Sequence, residues 1–477
     1  MADLYVSHAG DDDNDGAIAT PWKTLNRAVV AMSGGDIVHL VNDSEYTLVT
    51  EASGTCEMVD VSVFSKIVDV GAFTESLEYY QSGKFFFNNN ATLLDDGGGY
   101  NVFSKPDNDT IILNYPTATR NITASGGVTT IPYYFSTDMP AITLNLDNTG
   151  GDIATDVWLT IKAADSASKP TITTAATTFG ATGINGFWWV GDNNYKIKNI
   201  IFEITALVDD AYCINNSTES ATKEGLYIYG CEFSGFRDSI HSHIIRTVIE
   251  NNIVHYMSDS MSHAYAFAIN GRDSSILFND ISGNQNTVAY SNQCGGIVVI
   301  TDATGVIIYG NVIHDFPAAA IGAGPNFTGL ITITGEVSLL ANNVCYNLTA
   351  TSTTNGWDAG ILLYPLTASP ASIDIMFNNI VDNCRNGLYV YTGGKILSGG
   401  YNCISNNSIA NYTGISAYSD DISTTPQFND AANGDFSLLP VSPCKNMGKP
   451  TLNSGYTTIG AYQFSQDGIL TYGRNPN

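Results

Sequence analysis

Apolar and polar positions change places in short runs along most of this chain, and the runs return in a recognisable order. The plainest case is VIIYGNVIHDF at 306–316, where an apolar run is broken at Gly310 and Asn311 before a second one begins. An Asn two residues ahead of an aliphatic recurs as Asn199 with Ile201, Asn251 with Ile253, Asn279 with Ile281, Asn311 with Ile313, Asn342 with Val344, Asn378 with Ile380 and Asn402 with Ile404. Cys231 and Phe233 take the same places once. The anchors stand 20 to 36 residues apart, and no helical period is sustained between them, so the pattern predicts stacked β coils. Asn suits a sharp corner between strands because it tolerates left-handed backbone. Its amide can also bond the Asn of the next coil. A second phrase, a small residue and then an apolar run, begins at Ser239, Gly296, Gly360 and Gly387 and supplies a third strand per coil. The predicted fold class is all-β, a right-handed parallel β-helix of three-strand coils.

The two ends break the pattern. Residues 20–32 read as a helix with Leu25, Ala28, Val29 and Met32 on one face, Thr20 as N-cap and Pro21 at the first helical position. Such a helix would cover the open edge of the prism. The chain divides into 1–45, an N-terminal cap and first coil; 46–186, early coils with a lateral insertion or a small β-domain; 187–410, the regular coils; and 411–477, a closing segment and tail.

The cap phrase YVSHAGDDDNDG followed by TPWKTLNRAVVAMSGGDIVHL resembles the N-terminal cap of the right-handed parallel β-helix proteins of the pectate-lyase-like superfamily. TTPQF, DFSLLPVSPCKNMG and IGAY between 424 and 462 resemble its closing segment, with Lys445, Asn446 and Met447 where Ile-Asp-Ala is expected. The resemblance implies polysaccharide lyases, glycoside hydrolases or bacteriophage tailspikes. In members that cleave glycans it places the site on the outer face of one sheet.

Charge narrows the partners. Lys+Arg 19 against Asp+Glu 46 gives a net charge of -27, which disfavours nucleic acid and anionic membranes, and no run is apolar enough to span a bilayer. The opening Met1-Ala2-Asp3 has neither the basic nor the apolar region of a signal peptide. The eight Cys have no CxxC spacing, which argues against a zinc site or a disulfide framework. No cofactor is required by any motif. Asp11, Asp13 and Asp15 ahead of Gly16 match the start of a calcium loop, although the position for its bidentate Glu holds Trp22.

Candidate chemistry gathers where five of the seven His fall, between 241 and 314. With Ile240 inward, period two turns His241 and His243 outward. Asn270 follows on the next coil, with Arg272 and Asp273 just past it. His241 or His243 would act as base or donor, and Arg272 would fix a carboxylate or hydroxyl. Asp273 and Asp302, following strands of neighbouring coils, would approach the carboxylate spacing of a retaining glycosidase. Trp357, Tyr364, Tyr389 and Tyr391 form an aromatic run suited to stacking on sugars. Outward Val298, Ile300 and Leu362 would add an apolar face that predicts a homo-oligomer, most simply a trimer. The catalytic sequence motifs of the polygalacturonases are absent. The expectation is therefore a virion protein, a tailspike, fibre or capsid-attached spike presenting a surface for a glycan or receptor. The alternative is a secreted polysaccharide lyase or glycoside hydrolase acting on bacterial surface or extracellular polysaccharide.

Overall fold

The computed structural model describes residues 2–43, 46–47, 52–61, 64–68, 84–87, 102–108, 110–114, 130–136, 144–145, 157–174, 188–190, 193–204, 212–216, 223–257, 263–283, 293–317, 327–349, 358–365, 371–451, 455–461, 463–464 and 470–472, with a few single positions besides. The chain forms two compact units, 1–181 with 194–206, and 182–193 with 207–477. Apart from one α-helix and a 3-10 turn its described elements are strands, most of them in three parallel sheets. This is a parallel β-helix.

In the first unit Asp3–Val6, Ile37–Leu40, Leu159–Ala163 and Tyr195–Lys198 lie parallel, side by side. Tyr46–Thr47, Thr171–Thr174 and Ile201–Ile204 form a second parallel set. Alternation sets their faces: Leu159, Ile161 and Ala163 are buried while Thr160 and Lys162 are partly open. The irregular stretch after Thr47 holds an antiparallel sheet of Lys84–Phe87, Thr130–Ser136, Ala52–Val61, Phe64–Val68, Thr110–Asn114 and Val102–Asp107, in that order.

The cap helix is shorter than the sequence pattern predicts. It spans Leu25–Ala31, and its N-cap is Thr24 rather than Thr20. Trp22 is extended and bridges to Val6, so the chain cannot turn helical until it has left that bridge. Asp12, 1% exposed, fixes the turn into the helix by accepting from the amides of Lys23 (3.0 Å) and Thr24 (2.8 Å) and from the Thr24 hydroxyl (2.7 Å). Thr20 instead donates its hydroxyl to Asp15 at 2.5 Å.

In the second unit one sheet runs from Glu224–Tyr229 to Lys395–Gly400, and another from Trp188–Trp189 to Ala410–Thr413. The third runs from Glu232–Phe236 to Cys403–Ser405. Ile240, Phe267, Ile297, Ile331, Ile361 and Leu388 stack in register inside the second of these. Phe233, Val254, Ile281, Ile313, Cys345, Val381 and Ile404 do the same inside the third.

The corner asparagines divide their work between two adjacent positions. Left-handed backbone falls on Asn251, Phe278, Gly310, Asn342, Asn378 and Tyr401, with φ between 54 and 72°. The hydrogen-bonded ladder runs through the next residue, Asn252, Asn279, Asn311, Asn343, Asn379 and Asn402. From Asn279 on, each side-chain oxygen accepts both the amide and the side-chain N–H of the preceding rung, at 2.9–3.1 Å. Asp421 ends the ladder by accepting from Asn402; a carboxylate offers no N–H for a further rung. Asn251, Asn342 and Asn378 are therefore corner residues and not rungs. In those coils the residue two further on, Ile253, Val344 or Ile380, points out of the prism.

Val344 and Ile380 are nevertheless buried. With Val312 and Cys403 they lie beneath Phe436, Leu438, Cys444, Ile459 and Ala461. The C-terminal segment thus folds back over the outer face of the third sheet. His314 is on that face, its ring 4.9 Å from Phe436. Its Nδ1 meets Asp315 at 2.7 Å and its Nε2 meets Asp280 at 3.2 Å. Burial alone would lower the His314 pKa, but the two carboxylates outweigh it and raise it to about 9.

Candidate functional site

The polar cluster of the second sheet begins on the strand Asp238–Ser242. His241 and His243 both face out and are partly buried, with ring centroids 5.5 Å apart. Asp238, which simple alternation would place on the opposite side from His241, shares its face. Ser239 and Ile240, both 0% exposed, follow one another between the two outward residues. This extra inward step brings Asp238 Oδ2 to 3.1 Å from His241 Nδ1, while its Oδ1 accepts the Tyr265 amide at 3.0 Å. A carboxylate on Nδ1 holds the proton there and leaves Nε2 as the basic atom.

Around this pair the neighbouring coils supply further groups. Tyr212, paired in register with Asp238, has its ring 5.6 Å from His241, and the Arg237 guanidinium lies 5.1 Å over that ring. Burial and then the Asp238 charge push the Tyr212 phenol well above its ordinary pKa, so it remains a proton donor across the physiological range. His243 Nδ1 meets Asn270 Nδ2 at 3.2 Å. Burial, and then His241, lower the His243 pKa, opposed by the Asp302 charge, so the ring is neutral near pH 7. The Asn270 side-chain oxygen is buried with no partner. Together these groups offer an oriented base, a neutral imidazole and a phenol donor on one face.

Arg272, Asp273 and Asp302 are all exposed. Asp273 is a corner residue with φ 54°. Its amide donates to Thr304 at 2.8 Å, and its carboxylate lies against Gly305. Its backbone position is set by the turn. Asp302 follows the strand Gln293–Val299, close enough to bias His243.

The aromatic run shares the sheet but not the cluster. Tyr389 belongs to the same outward row as His241, through Ala268, Val298, Thr332 and Leu362. Five steps of about 4.8 Å separate the two by roughly 24 Å. Tyr364 and Tyr391 pack at 5.1 Å, and Tyr364 and Tyr389 cover Ala359 and Leu362. Trp357 lies outside the described residues. Of the outward apolar residues expected here, Val298 and Leu362 are 5% and 0% exposed, whereas Ile300, Tyr389 and Tyr391 are half-buried.

In the acidic N-terminal loop Asp11 accepts the Asp13 amide at 3.2 Å, and Asp15 accepts the Ala17 amide at 3.1 Å besides the Thr20 hydroxyl. Among the described residues no group of three or more His, Cys, Asp or Glu could hold a metal ion.

No protein-family model and no curated protein matches the chain. Among solved structures it is similar to pectate lyase Pel9A, with 12% identity, a TM-score of 0.41, and coverage of 97% of this chain and 96% of that one. It is similar also to XylC in complex with xylose (11%, 0.39, 100% and 99%) and to a rhamnogalacturonan lyase (11%, 0.38, 93% and 96%). Likeness at this level says nothing about chemistry, and the fold is read from the sheets themselves.

Proposed function

We propose that this protein cleaves polysaccharide on the outer face of its second sheet, by elimination at a uronate residue. The observation that carries the reading is the Asp238–His241 pair at 3.1 Å, a partly buried imidazole oriented by a carboxylate through Nδ1. Elimination asks for one base to take the proton beside the sugar carboxylate and one donor to protonate the leaving oxygen. His241 Nε2 is the base and the Tyr212 phenol the donor. His243, neutral and held by Asn270, bonds the substrate without adding charge. Arg272 neutralises the uronate carboxylate and so acidifies the neighbouring C–H, a local exception to the chain's net charge of -27.

A retaining glycoside hydrolase would need two facing carboxylates. Asp273 and Asp302, the pair suggested for that role, are exposed, and Asp238 is already engaged by His241 and Tyr265, which makes hydrolysis the second choice. The virion-spike reading asks nothing of this cluster and is the less supported of the two classes. Tyr364, Tyr389 and Tyr391 would extend the glycan-binding face by stacking.

The test is a panel of polyuronates and neutral polysaccharides, with and without a divalent cation, followed by ultraviolet absorbance of the unsaturated product and by reducing ends. Turnover on a polyuronate should fall about 100-fold or more in His241→Ala and in Tyr212→Phe, with circular dichroism and unfolding midpoint unchanged. Absence of turnover across the panel, or a full rate in His241→Ala, refutes the assignment.

A further inference from the structure

The two thiols of Cys403 and Cys444 meet where the last coil lies under the C-terminal segment. Cys403 is in the strand Cys403–Ser405, and Cys444 belongs to the segment that folds back over that sheet. Both are 0% exposed, both are free, and both belong to one buried cluster with Ile380, Phe436 and Ile459. The two side chains are neighbours in that cluster, and the Cys403 thiol donates to the Thr424 carbonyl at 3.2 Å. Two other cysteines bond to the backbone: Cys384 donates to the oxygens of Asp382 and Cys345, and Cys231 to that of Tyr229.

We propose that Cys403 and Cys444 are a redox-controlled staple that closes to a disulfide and locks the C-terminal segment onto the third sheet. In the closed state the reaction is suppressed. Beside Cys444 and out of water, the Cys403 thiol is held well above its ordinary pKa, and thiolate is the reactive form. Exchange therefore waits for the segment to lift. The coils are bonded to neighbours above and below along whole strands. The segment is held by side-chain packing and a few bonds, such as those from the Gly460 and Lys449 amides to Asn378. It belongs among the parts that open before the whole.

The chemistry balances with a low-molecular-weight disulfide as oxidant. Cys444, exposed by opening, loses its proton and attacks one sulfur of the oxidant, expelling a thiolate. Cys403 then loses its proton and attacks the Cys444 sulfur of the mixed disulfide, expelling the second thiolate. Two electrons pass to the oxidant, which leaves as two thiols.

For the test, the native protein is held with excess glutathione disulfide at several urea concentrations below its unfolding transition. It is then alkylated, unfolded and digested without reduction. The expected product has lost about 2 Da of hydrogen and yields one linked peptide pair carrying Cys403 and Cys444, formed faster as urea rises. Its thermal midpoint rises by several degrees and returns on reduction. Cys403→Ser, if folded by circular dichroism, gives no such pair; Cys213→Ser gives it unchanged. Glutathione adducts without a link, a link between other cysteines, or full alkylation of both thiols at every urea concentration overturns the proposal.

Discussion

Asn311→Ala removes one rung from the middle of the buried ladder. The Asn311 oxygen accepts the Asn279 amide at 3.0 Å and its side-chain N–H at 2.9 Å. Its own Nδ2 donates to Ile276 at 2.9 Å and to Asn343 at 3.0 Å. The residue is 0% exposed, so water cannot replace these partners. Counting one lost corner bond, as the sequence pattern suggests, gives roughly 1–3 kcal/mol. The structure asks for more. Two Asn279 donors lose their acceptor and the Ile276 carbonyl loses a donor, and stranding buried groups costs about 1–3 kcal/mol each before relaxation. We expect a total of about 3–5 kcal/mol by urea unfolding, with protection of the Asn279 amide against hydrogen exchange lost beyond that of its neighbours. The control is Asn251→Ala, which changes an exposed left-handed corner and should cost only roughly 1 kcal/mol. If Asn311→Ala costs less than about 1 kcal/mol, or no more than the control, the ladder argument fails.

Three further outcomes are expected. The folded-state pKa of His314 is raised from 6.5 to about 9; its contribution is therefore fully present below pH 6.5 and lost as pH rises through 9. It is worth at most about 3 kcal/mol, so stability measured from pH 6 to 10 should decline across this window and His314→Gln should flatten the decline. Asp12→Ala strands the Lys23 and Thr24 amides at the helix entry and should lower stability by about 2 kcal/mol in chemical denaturation; an unchanged midpoint would remove Asp12 from the cap. Tyr389→Ala and Tyr391→Ala should each weaken binding of a long oligosaccharide about 5-fold in calorimetry while leaving the rate on a short one intact; equal loss on both lengths would place the tyrosines in the cleaving site.

Much of this architecture is legible in one dimension because a solenoid coil interacts with its neighbours at a nearly constant spacing. The repeated Asn-x-aliphatic phrase marks the corners, and Ile281, Ile313 and Ile404 are buried where it puts them. Tertiary structure decided which of two adjacent asparagines is the rung and which the turn, as at Asn342 and Asn343, because a one-residue offset is invisible until the backbone angles are known. It also decided the fate of outward apolar residues. Val344 and Ile380 face away from the prism yet are buried by a segment that returns from far along the chain, and no local pattern encodes that return. The candidate site divides the same way. Alternation turned His241 and His243 outward, but taken back to Asp238 it would put that carboxylate on the opposite face. The two successive inward residues, Ser239 and Ile240, break period two just where the carboxylate must reach the imidazole, and Tyr212 joins them only through the stacking of one coil on another.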